Sequence, residues 1–472
     1  MGGKRLRHDS DFQLKKCAKK RYQHSDVDRI SQLPDDILVT IVSSFLSLKE
    51  AARTSVLSSR WINLWKHIPC LNFDAEQKRL WDEKSAKELL GEERRKYVEW
   101  VNSVLTSHKE ATLNEYRISF DLCRSTGEPV NRWLEFAFSR RVRILELDLS
   151  PTIMNWRPWS KTYAFPEELL TRTSGGASIL EPASCIDFKS LKALSMRFVN
   201  VSGEAIEFFL RTCPFLEKLV VHNASELSNL EVCGSSLDLK HLELQSCHNL
   251  TSIKVSAPNL TSLTLPNVKG LLLENVPMLV EVSVSCVCTV DPVEKLLVAL
   301  SGRIFQLESL SLVLPFYPEA GDLLSMFPQL PKLKKLVINY TVKDKESFIG
   351  LTPLMWACPN LQEFVFESIC DEPSRLLRRK VKKNPLKVAH EHLKVFKFLG
   401  YCGSSSDLEF VRYILENCIA LEKLIIDTHF QVKMGRAIHC KELLDIDQST
   451  RTNVDLQLPL IVVPKHIDFV LL

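Results

Sequence analysis

Leu239-Lys240-His241-Leu242-Glu243-Leu244-Gln245-Ser246-Cys247 sets apolar residues at its first, fourth and sixth positions and a cysteine at its ninth, and this spacing decides the fold. Alternation at the fourth and sixth positions directs those side chains to one side of an extended strand. The same spacing recurs upstream at Leu191/Leu194/Met196 and Leu216/Leu219/Val221. Downstream it continues through Leu260/Leu263/Leu265, Leu279/Val282/Val284, Leu307/Leu310/Leu312 and Leu333/Leu336/Ile338. Leu361/Phe364/Phe366, Leu393/Phe396/Phe398 and Leu421/Leu424/Ile426 complete the series.

Leu307, Leu333 and Leu361 follow one another at 26 and 28 residues, within the leucine-rich-repeat range. Helical patterns precede several strands, as in Ala205–Leu210 and Phe410–Leu415. One strand and one helix per unit stack into a solenoid whose strands line a concave face. Between 227 and 265 the leucines return every 10 to 12 residues, too soon for a helix in each unit. Strand-turn coils are expected there, which breaks a regular horseshoe. Lys192, Lys218, Lys240, Glu243, Ser262, Ser309, Lys334 and Glu363 fall between the buried positions and are expected to face the concave side.

The chain has 472 residues, with 45% apolar and 25% charged side chains, so several soluble modules are expected. Its net charge of +4 argues against a dedicated nucleic-acid binder. The basic excess is local. Lys4, Arg5, Arg7, Lys15, Lys16, Lys19, Lys20 and Arg21 crowd a tail, 1–24, that is expected to be disordered. The tail reads equally as a nuclear-import signal or a solvated extension. With no signal-peptide core and no long apolar run, neither secretion nor a membrane span is expected, and the chain is placed in nucleus and/or cytoplasm. Its 14 cysteines then sit in a reducing compartment, and none has zinc-site spacing. Cys213, Cys358 and Cys418 each stand three residues ahead of a repeat leucine, which marks them as buried filler.

Residues 25–72 read as three short helices. Pro34 suits a first helical position, and Asp35 and Asp36 place negative charge in the first turn. Ile37, Leu38, Ile41, Val42 and Phe45 form one broad apolar face. Ser47 and Glu50 have capping-box spacing, and Trp61, Leu64 and Trp65 follow at helical intervals. So short a segment buries little of its own surface, which points to a docking module or to a cap for the array. Residues 73–110 read as a helical connector, amphipathic from Tyr97 to Leu105. Strand patterns follow at Leu113–Leu122 and Ile144–Leu149, and the solenoid is assigned to 111–385.

Asp28-Arg29-Ile30-Ser31-Gln32-Leu33-Pro34-Asp35-Asp36-Ile37-Leu38, together with Arg53-Thr54-Ser55-Val56-Leu57-Ser58-Ser59-Arg60-Trp61-Ile62-Asn63-Leu64-Trp65, resembles the plant F-box motif. The resemblance implies a three-helix domain that binds a Skp-type adaptor, and through it the cullin and RING subunits of a ubiquitin ligase. Carried over, Leu33, Pro34, Ile37, Leu38, Ile41, Val56, Leu57, Trp61 and Trp65 would form the adaptor surface. Leu393-Lys394-Val395-Phe396-Lys397-Phe398-Leu399-Gly400-Tyr401-Cys402-Gly403, with Glu409–Cys418 and Leu421–Leu424, is similar to the FBD domain of the same plant family. Residues 386–472 are therefore expected to continue the solenoid, with Gly400 and Gly403 in turns.

No phosphate-binding loop, nucleophile elbow or paired metal ligands occur, and His390-Glu391-His392 lacks zinc spacing. Neither a catalytic site nor a cofactor is expected. Asn223, Asn249 and Asn259 begin glycosylation sequons but read as turn residues. The expected fold class is α/β, an N-terminal three-helix F-box followed by an irregular leucine-rich-repeat solenoid. The expected function is recruitment of an unknown protein substrate to a cullin ligase. The alternative is a stand-alone interaction scaffold.

Overall fold

The two apolar positions of the repeat stand in register across a parallel sheet. Leu194 lies beside Leu219, then Leu242, Leu263, Val282, Leu310, Leu336, Phe364, Phe396 and Leu424. From Met196 to Ile426 the second position forms a parallel ladder, and no side chain of either ladder is more than 3% exposed. The computed structural model describes residues 30, 32–75, 83–151, 162–171, 188–234, 237–285, 298–300, 302, 304–314, 328–342, 348–370, 389–429 and 454–472. The basic tail 1–24 and Cys286-Val287-Cys288 lie outside them. The chain forms two units, Met1–Trp65 and Lys66–Leu472.

In the first unit, helices α1 (Asp35–Phe45), α2 (Leu48–Arg53) and α3 (Trp61–Leu64) follow one another. Pro34 sits one residue earlier than expected, at the N-cap with ψ 153°, and its carbonyl accepts from the Leu38 N–H. The Ser47–Glu50 capping box forms as expected. The Ser47 N–H donates to Glu50 Oε2 at 2.9 Å, and the Glu50 N–H donates to Ser47 Oγ at 3.4 Å.

In the second unit, fourteen strands among the described residues pair in chain order as one parallel sheet. This sheet begins sooner than the repeat count predicts. Cys70–Asp74, Glu115–Ser119 and Ile144–Asp148 are its first three strands. Leu71, Tyr116 and Leu145 extend one ladder, and Phe73, Ile118 and Leu147 the other. The boundary expected at 72/73 thus falls inside a strand, and the solenoid starts before residue 111. At the other end, Val395–Leu399, Lys423–Asp427 and Asp468–Leu471 continue the same sheet through 386–472.

Helix α4 (Glu83–Ser107) fills the expected connector and packs beside the first strand. Tyr97 Oη donates to the Phe73 carbonyl at 2.6 Å, and Trp100 meets the Phe73 ring edge-on with centroids 5.3 Å apart. The helices α5 (Gly127–Ser139), α6 (Glu168–Thr171), α7 (Gly203–Thr212), α8 (Thr352–Trp356) and α9 (Ser405–Asn417) lie between later strands. In the close-spaced stretch, strands replace helices. Asn229–Cys233, Ser252–Ser256 and Leu271–Leu273 form a separate three-stranded parallel sheet, while His241–Gln245 and Ser262–Leu265 stay in the main one. The strand-turn coils are real, and the main sheet runs through them unbroken.

Turns are tied from one coil to the next. Asn249 Nδ2 donates to the Ser225 carbonyl at 2.6 Å, Asn259 Nδ2 to Leu237 at 3.2 Å and Asn360 Nδ2 to Pro331 at 2.7 Å. Asn223 takes φ 56°, a left-handed turn position that asparagine tolerates. Gly400 and Gly403 also lie at positive φ, and a Cβ on Gly400 would collide with the Ser368 carbonyl.

His108 and His390 are both buried. His390 Nε2 lies 3.0 Å from the Cys358 carbonyl, and its Nδ1 accepts from the Leu393 N–H at 3.2 Å, so the ring is neutral with its proton on Nε2. His108 Nε2 lies 2.9 Å from the Ile68 carbonyl. Burial holds both below the ordinary imidazole value of 6.5. A group whose folded pKa is depressed resists protonation only in the folded state. The stability it contributes is complete above 6.5 and is lost as pH falls below that value. The midpoint of urea unfolding is therefore expected to drop between pH 7.5 and 5.5. His390→Gln should shrink that drop, and an equal drop in the variant removes His390 from the account.

Candidate docking surfaces

The broad apolar face expected on α1 divides into two stripes. Leu38 and Val42, one helical turn apart, are buried at 0% and 1% exposure. On the adjoining stripe Ile37 is 43% and Phe45 80% exposed, with Ile41 half-buried between them. The expected adaptor residues separate in the same way. Pro34, Ile37, Val56 and Leu57 are open, Leu33, Ile41 and Trp65 are half-buried, and Leu38 and Trp61 are buried. Leu38 and Trp61 therefore serve the interior and offer no surface.

Four open apolar residues were missing from the expected surface: Ile30, Phe45, Leu46 and Ile62. Phe45 was legible as the i+8 member of the Ile37 stripe. Arg60 was also missed. Its Nη2 lies 2.6 Å from Asp35 Oδ1 and donates to the Leu33 carbonyl at 2.5 Å, joining the start of α3 to the start of α1.

In the second unit the outward sheet face changes character along its length. Its first half carries the ion pairs Arg117–Glu146 at 3.6 Å and Arg197–Asp148 at 4.0 Å, and a hydrogen bond between His222 Nε2 and Glu243 Oε1 at 2.9 Å. The His222 hydrogen bond holds the Glu243 carboxyl below its ordinary value. Its middle carries a row of hydroxyls, Thr264, Ser283 and Ser311, beside a row in which Glu281 stands between Ser262 and Ser309. Its last third sets one mainly aliphatic row, Val337, Val365, Ile425 and Val470 with Lys397 among them, beside a mainly charged row that includes Lys335, Glu363, Lys423 and Asp468.

The family model "At1g61320/AtMIF1, LRR domain" matches residues 104–457. Among relatives from Arabidopsis thaliana, the F-box/FBD/LRR-repeat protein At2g04230 is 28% identical over 425 residues, 85% of this chain and 89% of that one. The chain belongs to the F-box/FBD/LRR-repeat family. The putative F-box/FBD/LRR-repeat protein At4g13965 is likewise 28% identical, over 84% of this chain and 89% of its own. Among solved structures, the leucine-rich repeat-containing protein LegL7 from Legionella pneumophila matches 74% of this chain at 12% identity, with a TM-score of 0.21.

In this F-box/FBD/LRR-repeat protein the expected concave positions fall into two groups. Lys218, Glu243, Ser262, Ser309 and Glu363 lie on the outward strand face. Lys192, Lys240 and Lys334 instead precede their strands and join an ion ladder along the rim. Lys192 and Lys240 flank Glu217 at 3.6 and 2.9 Å, and Lys334 meets Glu308 at 2.8 Å. A side chain already paired to the next coil has less to offer a partner. Cys213, Cys358 and Cys418 are buried as expected, and burial pushes the Cys358 and Cys418 thiols up to about 12. An open depression of about 410 Å³ at the start of α5 is lined by Arg124, Glu128, Asn131, Arg132, Glu135 and Tyr163 among others. Its arginines are balanced by glutamates, so no ligand charge is selected.

Proposed function

We propose that the chain is the non-catalytic substrate-recognition subunit of an SCF-type cullin E3 ubiquitin ligase. The first unit docks a Skp-type adaptor, which carries the cullin and RING subunits. The outward sheet face of the solenoid holds the target protein. Holding the target beside the charged enzyme raises its effective concentration, and no catalytic residue is needed. Nucleus and cytoplasm are the compartments in which such a complex would work.

The observation that carries this reading is the set of bare apolar side chains on the first unit. Ile37, Phe45, Val56, Leu57 and Ile62 are 43 to 87% exposed on a unit too small to spare them. Grouped on so small a unit, they form the kind of exposed apolar patch that marks a partner site.

The test exploits their exposure, because substitution there does not disturb the interior. The triple variant Phe45→Asp, Val56→Asp, Leu57→Asp should keep the unfolding midpoint of the wild type. Its affinity for a purified Skp-type adaptor should fall by about 100-fold or more. Undiminished capture would remove the ligase assignment and leave the stand-alone scaffold.

A further inference from the structure

The two ends of the solenoid are finished differently. At the first strand, Leu71 and Phe73 are both fully buried, under α4, whose Tyr97 donates to the Phe73 carbonyl and whose Trp100 packs edge-on against the Phe73 ring. At the last strand, Asp468–Leu471, the equivalent ladder residues are Phe469 and Leu471. They are 40% and 49% exposed, whereas Leu424 and Ile426 one coil earlier are at 0%. Among the described residues nothing pairs with the far side of this strand. Asp468 and Leu472 donate toward the preceding strand, to the Glu422 and Ile426 carbonyls at 2.8 and 2.9 Å. The alternate residues, Phe469 and Leu471, therefore turn their N–H and C=O groups outward. An open edge of this kind is a template for one more strand.

We propose that this edge binds an extended peptide segment of a partner protein, added as a fifteenth strand parallel to Asp468–Leu471. The chemistry of that segment follows from the sheet it joins. Two apolar residues, two positions apart, extend the buried ladders over Phe469 and Leu471. Charge fixes a third position. Within the sheet, Glu363 takes a lysine from each neighbouring strand, Lys335 at 3.6 Å and Lys397 at 2.6 Å. Among the described residues Asp468 has a cation on one side only, Lys423 at 3.0 Å, and its side chain is 62% exposed. A lysine or arginine just ahead of the first apolar residue stands directly across from Asp468, as Lys335 does from Glu363 and Lys423 from Asp468, and supplies a cation on the open side. The recognised pattern is basic-apolar-any-apolar. The edge includes none of the adaptor residues, and its occupancy does not depend on the ligase reading.

The chain's own repeat Leu421-Glu422-Lys423-Leu424-Ile425-Ile426-Asp427 carries the pattern and serves as the probe. A fluorescein-labelled peptide of that sequence is titrated into the full-length chain and followed by anisotropy. Saturable binding is expected. Leu471→Pro removes one outward donor and leaves the bonds to the preceding strand, so affinity should fall about tenfold. Asp468→Lys should weaken binding as well, and a peptide with glutamate in place of its lysine should restore it. That rescue separates lost recognition from lost folding. No saturation below about 1 mM, or affinity indifferent to Leu471→Pro, overturns the proposal. So does a concentration-dependent dimer abolished by Leu471→Pro, because a second copy would then own the edge. Slow amide exchange at Phe469 and Leu471 in the chain alone overturns it too, since another segment of the same chain would already cover them.

Discussion

Phe410→Ala is expected to destabilise the solenoid by about 3–5 kcal/mol, the usual cost of emptying a large aromatic site in a core. Phe410 lies on α9 and is fully buried. Its ring stands 6.2 and 5.8 Å from Phe364 and Phe396 of one ladder, and 5.1 and 6.4 Å from Phe366 and Phe398 of the other. Phe348 closes the group at 6.0 Å. One side chain thus touches both ladders in two adjacent strands, and several of these rings meet edge-on, which adds to area burial. The neighbours are large and tied to a hydrogen-bonded sheet, so they cannot collapse into the space. Phe410→Leu should recover more than half of the loss. Urea unfolding followed by tryptophan fluorescence measures both, and a cost below about 1 kcal/mol for the alanine would mean the cluster is loosely packed.

The ladders around Phe410 were legible because leucine and phenylalanine recur there at fixed spacing. The first three strands obey the same spacing yet escaped the count. Ile68/Leu71/Phe73 straddles the boundary drawn at 72/73 between helical head and connector, and Leu113/Tyr116/Ile118 places a tyrosine where leucine is usual. Both triads are buried, because the position demands bulk and apolarity rather than leucine itself. The second, three-stranded sheet was visible only as a shortened period. Spacing shows that a helix does not fit, whereas pairing partners are set by the stacking of coils. On the first unit, periodicity marked the apolar residues of α1 but could not separate Leu38 from Ile37. That distinction depends on where α2 and α3 pack. Arg60 was invisible for a related reason, since its partner Asp35 is 25 positions away.

Arg94→Ala is expected to cost about 3 kcal/mol or more, and more than Asp121→Ala. Arg94 of α4 reaches Asp121 Oδ1 at 2.6 Å and the Asp121 carbonyl at the same distance. The Asp121 side chain is 2% exposed, that of Arg94 21%. Losing the arginine strips a buried carboxylate of its cation, whereas losing the aspartate leaves a guanidinium that still holds the carbonyl and can reach water. The order of the two costs follows from that asymmetry. Replacing both, as Arg94→Met with Asp121→Leu, should restore most of the loss, because the desolvation of both charges disappears with them. A double variant no better than the worse single one would show that the pair does more than neutralise itself. The consequence reaches beyond the pair. Arg94 fastens to the end of the second strand the same helix whose Tyr97 closes the first. Weakening it should bare Leu71 and Phe73, giving the N-terminal end an open apolar edge like the one at Phe469 and Leu471. Faster amide exchange over Cys70–Asp74 in Arg94→Ala, with Lys423–Asp427 unchanged, is the expected mark of that uncapping.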